Sequence, residues 1–175
     1  MSNILTYNIK SEDSTDHWLY FNIDNENVLD LGCGRWYTTN YDELSPIFFA
    51  KKATTVVGVD CNKDDIDFYK ERTKGNLKFT FVHQCINDIN QVKELLTLYN
   101  ITALKCDIEG AEKVLLDLTT EDLKQIDELA IEFHSEELKQ DFTNKVVEWG
   151  FNMKVKATFE NTPEYMGVLF CSKYC

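Results

Sequence analysis

The chain has 175 residues, of which 43% are hydrophobic and 13% aromatic, and its formal net charge is −12. This length suits one domain with a sizeable core and is short for two domains. The negative charge disfavours nucleic acid and anionic membranes, because affinity for phosphates depends on Lys and Arg. Apolar runs stay well below the ~20 residues of a membrane span, and the first residues lack a signal-peptide pattern. We therefore expect a cytoplasmic protein, of an oligomeric state that the sequence leaves open.

Strands and helices are predicted to alternate along most of the chain. The predicted strands are, in order, NVLDLGCG, TTVVGVD, LKFTFVHQ, ALKCDI and ELAIEFH. Between them, a short helix is predicted with Ser45 as its cap and Pro46 at its first position, and Gly75 ends a second helix. The spacing of Val92, Leu95 and nearby apolar residues predicts a third. A further helix is predicted to begin at Ala111, and another after a cap at Ser135. Alternating apolar residues after residue 150 predict a terminal β-hairpin.

This order predicts an α/β fold with a mostly parallel sheet, helices on both faces and an antiparallel C-terminal hairpin. We assign residues 28–175 to this single domain. Residues 1–27 precede it, and their aromatic residues Trp18, Tyr20 and Phe21 are candidates either for the core or for a cap over the cleft.

The ends of the predicted strands carry the residues expected to bind a ligand, because open α/β sheets bind ligands beyond the carboxyl ends of their strands. Gly32 and Gly34 allow the backbone to turn tightly and to approach a ligand closely. Asp60 can accept hydrogen bonds from both hydroxyls of a ribose. The predicted cofactor site contains these three residues together with Asp30, Cys61, Ile86, Asp88 and Asp107, and Asp88 is a candidate contact of the adenine.

The first loop argues against a dinucleotide. A pyrophosphate site needs a third glycine, but Arg35 and Trp36 occupy that part of the loop. A nucleoside without phosphates needs the close helix approach less, and acidic residues tolerate a sulfonium cation. S-adenosylmethionine (SAM) fits these constraints best.

Two motifs strengthen this interpretation. VLDLGCG, VVGVD and the terminal hairpin resemble a class I, Rossmann-like SAM-dependent methyltransferase over about residues 28–171. The segment LKCDIEGAEKVLLD, followed by AIEFH, is similar to the FkbM family of methyltransferases. The resemblance implies a seven-stranded sheet with its last strand antiparallel, cofactor contacts at Gly32, Gly34 and Asp60, and methylation of sugar or other hydroxyl groups.

Asp107, Glu109 and His134 are the predicted catalytic residues. An alcohol that accepts a methyl group must lose a proton, and we favour His134 slightly over Asp107 as the base. Mg²⁺ or Mn²⁺ bound by Asp107, Glu109, Glu132 and His134 is a further hypothesis, although we assign no metal site. The predicted function is O-methylation of a small-molecule hydroxyl. The alternatives are a degenerate module that binds a nucleoside or a partner without turnover, and an RNA or protein methyltransferase.

Cys33, Cys61, Cys85 and Cys106 each fall at or near the end of a predicted parallel strand. We expect the four thiols to lie along one edge of the domain. Their spacing lacks a metal-ligand signature, and packing in crowded turns is the favoured interpretation.

Overall fold

The computed structural model describes residues 5–9, 15–35, 40–159 and 166–174. The strands are β1 (Leu5–Ile9), β2 (Asn27–Leu31), β3 (Thr55–Asp60), β4 (Phe79–His83), β5 (Ala103–Cys106), β6 (Glu128–Phe133), β7 (Asn152–Phe159) and β8 (Gly167–Ser172). The α-helices are α1 (Ser45–Phe49), α2 (Lys63–Arg72), α3 (Ile89–Leu98) and α4 (Glu136–Glu148). Short 3₁₀ helices span Thr15–Tyr20, Tyr41–Glu43 and Glu112–Asp117. None of the described helices is long and apolar enough to cross a membrane.

The strands form one eight-stranded sheet in the order β1-β7-β8-β6-β5-β2-β3-β4. All neighbouring pairs are parallel except those of β8, which runs antiparallel to both β6 and β7. The seven predicted strands and the antiparallel C-terminal pair are therefore confirmed. The edge strand β1, which pairs with β7, is an eighth strand that the sequence analysis did not predict.

The strand order reverses between β2 and β5. The chain passes from β2 outward to β3 and β4, and then returns to place β5 on the other side of β2. In a doubly wound sheet the loops diverge at such a point and leave a crevice at the carboxyl ends of the strands. The ends of β2, β3 and β5 consequently lie side by side.

Alternate residues of the central strands belong to different core clusters. Leu29 and Val57 pack in a cluster that also contains residues of α3 and α4. Val28 and Val56 pack in a second cluster with Trp18 and other aromatic residues. The sheet therefore has a hydrophobic core on each side.

The N-terminal aromatic residues contribute to the second cluster. The Trp18 ring packs edge-on against Phe49, with 5.3 Å between ring centroids, and against Phe170. Phe21 is also buried there. These contacts place Trp18 and Phe21 in the core, while residues 10–14 of the same segment lie outside the described residues, so the cap stays a prediction.

Two local predictions differ from the structure. The segment after β5 is a 3₁₀ helix, Glu112–Asp117, and not an α-helix from Ala111. Glu109 and Gly110, with φ of 51° and 88°, adopt left-handed backbone conformations that delay the helix. Ser45 does not cap α1; its hydroxyl donates a hydrogen bond to Oδ2 of Asp30 at 2.6 Å.

Candidate functional site

A cavity of about 540 Å³ opens at the carboxyl ends of β2, β3 and β5. Its walls come from the loops that follow these strands and β4. The predicted site residues that line it are Gly32, Gly34, Asp60, Cys61, Ile86, Asp107 and Glu109. Asp30, Asp88 and His134 are not among its lining residues. The volume is that of a small-molecule site.

The loop after β2 brings the backbone close to the end of β5. Gly32 has φ of +76°, and a Cβ at this position would lie only 1.5 Å from the carbonyl oxygen of Asp107. Only glycine fits here, because any side chain would overlap the neighbouring backbone. At Gly34 a Cβ would lie 3.1 Å from Oδ2 of Asp60. The glycine turn and the predicted ribose-binding carboxylate therefore face the same space.

Two residues that the sequence analysis did not assign to the site stand beside Asp60. Asp65, on the first turn of α2, accepts a hydrogen bond from the backbone N–H of Arg35 at 3.2 Å and forms an ion pair with its guanidinium. The Arg35 guanidinium also lies over the Phe68 ring, 4.4 Å from its centroid. The residue in place of the third glycine is thus held against α2 at the wall of the cavity.

Asp88 has a structural role at the start of α3, and its predicted contact with the adenine stays a prediction. Its side chain accepts a hydrogen bond from the backbone N–H of Asn90 at 2.7 Å and forms a capping box with Gln91 at the start of α3. Ile86, two residues earlier, does line the cavity. Among the strand-end cysteines, Cys61 and Cys85 are exposed and line the cavity, whereas Cys33 and Cys106 are buried.

Asp30 lies beneath the cavity floor, where it is fully buried and paired with Lys105. The Lys105 ammonium lies 3.0 Å from Oδ1 of Asp30 and 3.6 Å from Oδ2 of Asp107. It also donates a hydrogen bond to the carbonyl oxygen of Gly32 at 2.7 Å. Lys105 therefore connects the ends of β2 and β5, a role that the Lys of the quoted motif could have suggested.

The buried charges of this network compensate one another. Burial alone would lower the pKa of Lys105, but Asp30 and Asp107 raise it above its usual value. Burial raises the pKa of Asp30, and Lys105 and Ser45 oppose that rise. An unpaired charge in this position would be strongly destabilising, so the pair maintains the floor of the cavity.

On the reaction side, Asp107 and Glu109 line the cavity and His134 stands behind them. Nε2 of His134 lies 3.8 Å from Oε2 of Glu109 and 3.7 Å from Oε1 of Glu132. Its Nδ1 lies 3.0 Å from Oε1 of Glu112. The three predicted catalytic residues are therefore close together, but His134 does not reach the cavity wall directly.

Glu112 and Glu132 complete this acidic region. Glu112 is fully buried, and its Oε1 accepts backbone hydrogen bonds from Ile108 and Gly110, both at 3.1 Å. Burial would raise the pKa of Glu112, but His134 and the backbone amides of Glu112 and Gly110 lower it. Burial raises the pKa of Glu132 well above its usual value, and Asp107 beside it adds to the rise. The Glu112 carboxylate in turn raises the pKa of His134.

Neither a family model nor a curated protein matches the sequence. Solved structures show the same fold at low sequence identity. Fibrillarin from Aeropyrum pernix, with natively bound SAM, is 8% identical, with a TM-score of 0.57 over 85% of this chain and 67% of that chain. An rRNA methylase from Streptococcus thermophilus is 15% identical, with a TM-score of 0.59 over 86% and 89% of the two chains. The chain therefore has the Rossmann-like fold of class I SAM-dependent methyltransferases.

Proposed function

We propose that this protein binds SAM in the cavity and transfers its methyl group to a hydroxyl oxygen of a small molecule. The observation that carries the proposal is the meeting of Gly34 and Asp60 at one end of a cavity that reaches Asp107 and Glu109 at the other. A nucleoside fits at the first end, and the reacting sulfonium fits near the second.

The charges of the cavity support a cationic cofactor. Asp60, Asp65, Asp107 and Glu109 all line it, and Arg35, the basic residue among the described lining residues, is paired with Asp65. Carboxylates attract the positive sulfonium and repel the phosphates of a dinucleotide. The lining therefore favours SAM over NAD or FAD.

The reaction itself requires little from the protein beyond placement and the removal of one proton. The bond between sulfur and the methyl carbon breaks as the bond from the acceptor oxygen to that carbon forms, and the sulfonium becomes a neutral thioether. The hydroxyl proton passes to a carboxylate. Glu109 is our first candidate for this proton acceptor, because it lines the cavity and its side chain is 56% exposed.

A small acceptor agrees with the dimensions of the domain. The described residues after β2 form the sheet and its covering helices, and the reaction side of the cavity is bounded by one short loop, residues 107–112. The same loop contains the acidic motif that resembles the FkbM family, so we place the chain in that family as part of the proposal.

The proposal is tested by supplying SAM with a labelled methyl group and a panel of sugars, glycosides and phenols. We expect labelled product and S-adenosylhomocysteine to accumulate with at least one hydroxyl acceptor. Glu109→Gln should lower the rate while SAM binding persists, since the residue acts on the acceptor. SAM binding without turnover on any acceptor would instead support the degenerate binding module.

A further inference from the structure

Within the ranges that the structure describes, two buried carboxylate oxygens without a hydrogen-bond partner belong to residues that come close together behind the cavity. In the described part of the chain, Oδ1 of Asp107 and Oε2 of Glu112 are buried without a hydrogen-bond partner, and Nδ1 of His134, which is also buried, has the Glu112 carboxylate 3.0 Å away. The three residues are Asp107, Glu112 and His134. Ligand atoms of the same three residues all lie within 4.8 Å of one another. Buried polar atoms are normally satisfied, so a cluster of unsatisfied ones indicates a missing partner.

We propose that Asp107, Glu112 and His134 form a binding site for one divalent transition-metal cation at the edge of the cofactor cavity. Glu112, at 0% exposure, supplies a fully buried carboxylate with an unused oxygen. This ligand set replaces Glu109 and Glu132 of the sequence hypothesis with Glu112. Within the described residues, the ligand atoms come from the end of β5, the start of the 3₁₀ helix and the end of β6.

The geometry suits a metal centre. Nδ1 of His134 lies 3.0 Å from Oε1 of Glu112, so the imidazole and the carboxylate approach one another as adjacent ligands of one ion do, and Oε2 of Glu112 has no hydrogen-bond partner among the described residues. The other oxygen of Asp107, Oδ2, faces Lys105, which leaves Oδ1 for the cation. The two Glu112 hydrogen bonds from Ile108 and Gly110 hold its carboxylate in place, as the outer partners of a metal ligand do.

The donor set determines the class of cation. An imidazole nitrogen is a good ligand for Zn²⁺ or Fe²⁺ and a poor one for Mg²⁺, while two carboxylates also suit Mn²⁺. We therefore expect Zn²⁺ and Mn²⁺ to bind more tightly than Mg²⁺. The carboxylates of Asp107 and Glu112 also give the proposed site a negative charge that attracts a cation. Lys105 does not neutralise both, because it is already shared between Asp30 and Asp107.

The site gives a role to residues that methyl transfer alone does not use, and this role rests on the proposed function. A cation beside Asp107 would polarise an acceptor hydroxyl and lower its pKa, so that the weakly basic Glu109 carboxylate suffices as proton acceptor. With Nδ1 on the cation, Nε2 of His134 keeps its hydrogen, so His134 would be a ligand in place of the base that the sequence suggested.

The test is a titration of the chelator-treated full chain with Mn²⁺, in which electron paramagnetic resonance measures the free ion. Neither SAM nor an acceptor is present, so the result does not depend on the proposed function; SAM binding is titrated separately. We expect one site per chain, from which Zn²⁺ displaces Mn²⁺ and an excess of Mg²⁺ does not.

Variants identify the ligands. Glu112→Gln and His134→Gln should each weaken Mn²⁺ binding by about 100-fold or more, since loss of an outer partner alone costs 10–100-fold. Glu121→Gln, which removes an exposed carboxylate outside the site, should retain Mn²⁺ binding within a few-fold. Thermal melting confirms that each variant is folded.

Two results would overturn the site. The first is no Mn²⁺ or Zn²⁺ binding at millimolar concentrations, which would mean that water or a proton shared by Asp107 and Glu132 satisfies these atoms. The second is equal affinity in His134→Gln and Glu121→Gln, which would place any bound cation elsewhere.

Discussion

Lys105 is the residue on which the floor of the cavity depends. Its side chain is 2% exposed, lies between Asp30 and Asp107, and donates a hydrogen bond to the carbonyl oxygen of Gly32. A charged residue in the middle of an apolar strand is tolerated there only because opposite charges and a backbone acceptor surround it. Its surroundings come from two other segments of the chain, so a strand pattern alone could not reveal its role.

Replacing Lys105 by methionine should destabilise the protein by about 3–5 kcal/mol, because the variant leaves the carboxylate of Asp30 buried without its partner. Urea unfolding measures the change. Lys63→Met serves as the matched control, since the Lys63 side chain is 65% exposed and its loss should cost about 0.5 kcal/mol or less. If Lys105→Met lost no more free energy of unfolding than Lys63→Met, the conclusion that Lys105 compensates the buried charge of Asp30 would be contradicted.

The two glycines of the first loop should respond differently to alanine. Gly32→Ala should lower the free energy of unfolding by more than about 3 kcal/mol, because its Cβ would overlap the carbonyl oxygen of Asp107. Gly34→Ala should remain folded, because among the described residues its Cβ would first meet side-chain carboxylates and not backbone, at 3.1 Å from Oδ2 of Asp60 and 3.5 Å from Oδ2 of Asp65.

In Gly34→Ala, the added methyl group occupies space beside the Asp60 oxygen that is proposed to bind the ribose, so SAM affinity should fall about tenfold, or ~1.4 kcal/mol. Melting temperature and SAM titration separate the two effects. Unchanged SAM affinity in a folded Gly34→Ala would show that the cofactor does not approach this glycine.

At the scale of elements, the turn between β5 and the following helix shows what local patterns miss. Apolar spacing correctly predicts that Leu115 and Leu118 are buried. It does not predict the left-handed conformations of Glu109 and Gly110, which aim two backbone N–H groups at Glu112. These conformations depend on the buried Glu112 carboxylate as hydrogen-bond acceptor, and the periodicity of apolar residues contains no information about such an acceptor.

The start of α3 provides a direct test of a sequence interpretation. Asp88→Ala should cost about 1 kcal/mol of stability, the usual value of an N-cap, because Asn90 loses its acceptor. SAM affinity should remain the same within twofold, since Asp88 does not line the cavity. Chemical unfolding and SAM titration give the two values. A stable variant with weak SAM binding would restore the predicted adenine contact.

At the scale of the whole molecule, alternation of strands and helices was sufficient to predict the central sheet and the position of the cleft. The two strand ends that carry Gly34 and Asp60 do meet, as the order of elements requires. The edge strand β1 was missed because its only partner in the described sheet is β7, nearly the whole chain away. A short segment with one distant partner has little local signal.

Net charge gives a prediction for RNA, since one of the proteins that share the fold is an rRNA methylase. At −12, the chain should not retain tRNA or rRNA fragments in an electrophoretic shift assay at moderate salt. Binding at low micromolar concentrations, with an affinity that falls steeply as salt rises, would contradict this expectation and favour an RNA acceptor.

The central claim is that the Asp60 carboxylate binds the ribose of SAM beside the glycine turn. Calorimetric titration of SAM into wild type, Asp60→Asn and Asp64→Asn tests this claim most directly. Asp64 is an exposed acid in the first turn of α2, the helix that follows Asp60 in the chain. We predict that wild type and Asp64→Asn bind equally, and that Asp60→Asn binds about tenfold or more weakly, because it loses a charged acceptor. Equal binding by all three proteins, or no binding by wild type, would contradict the account.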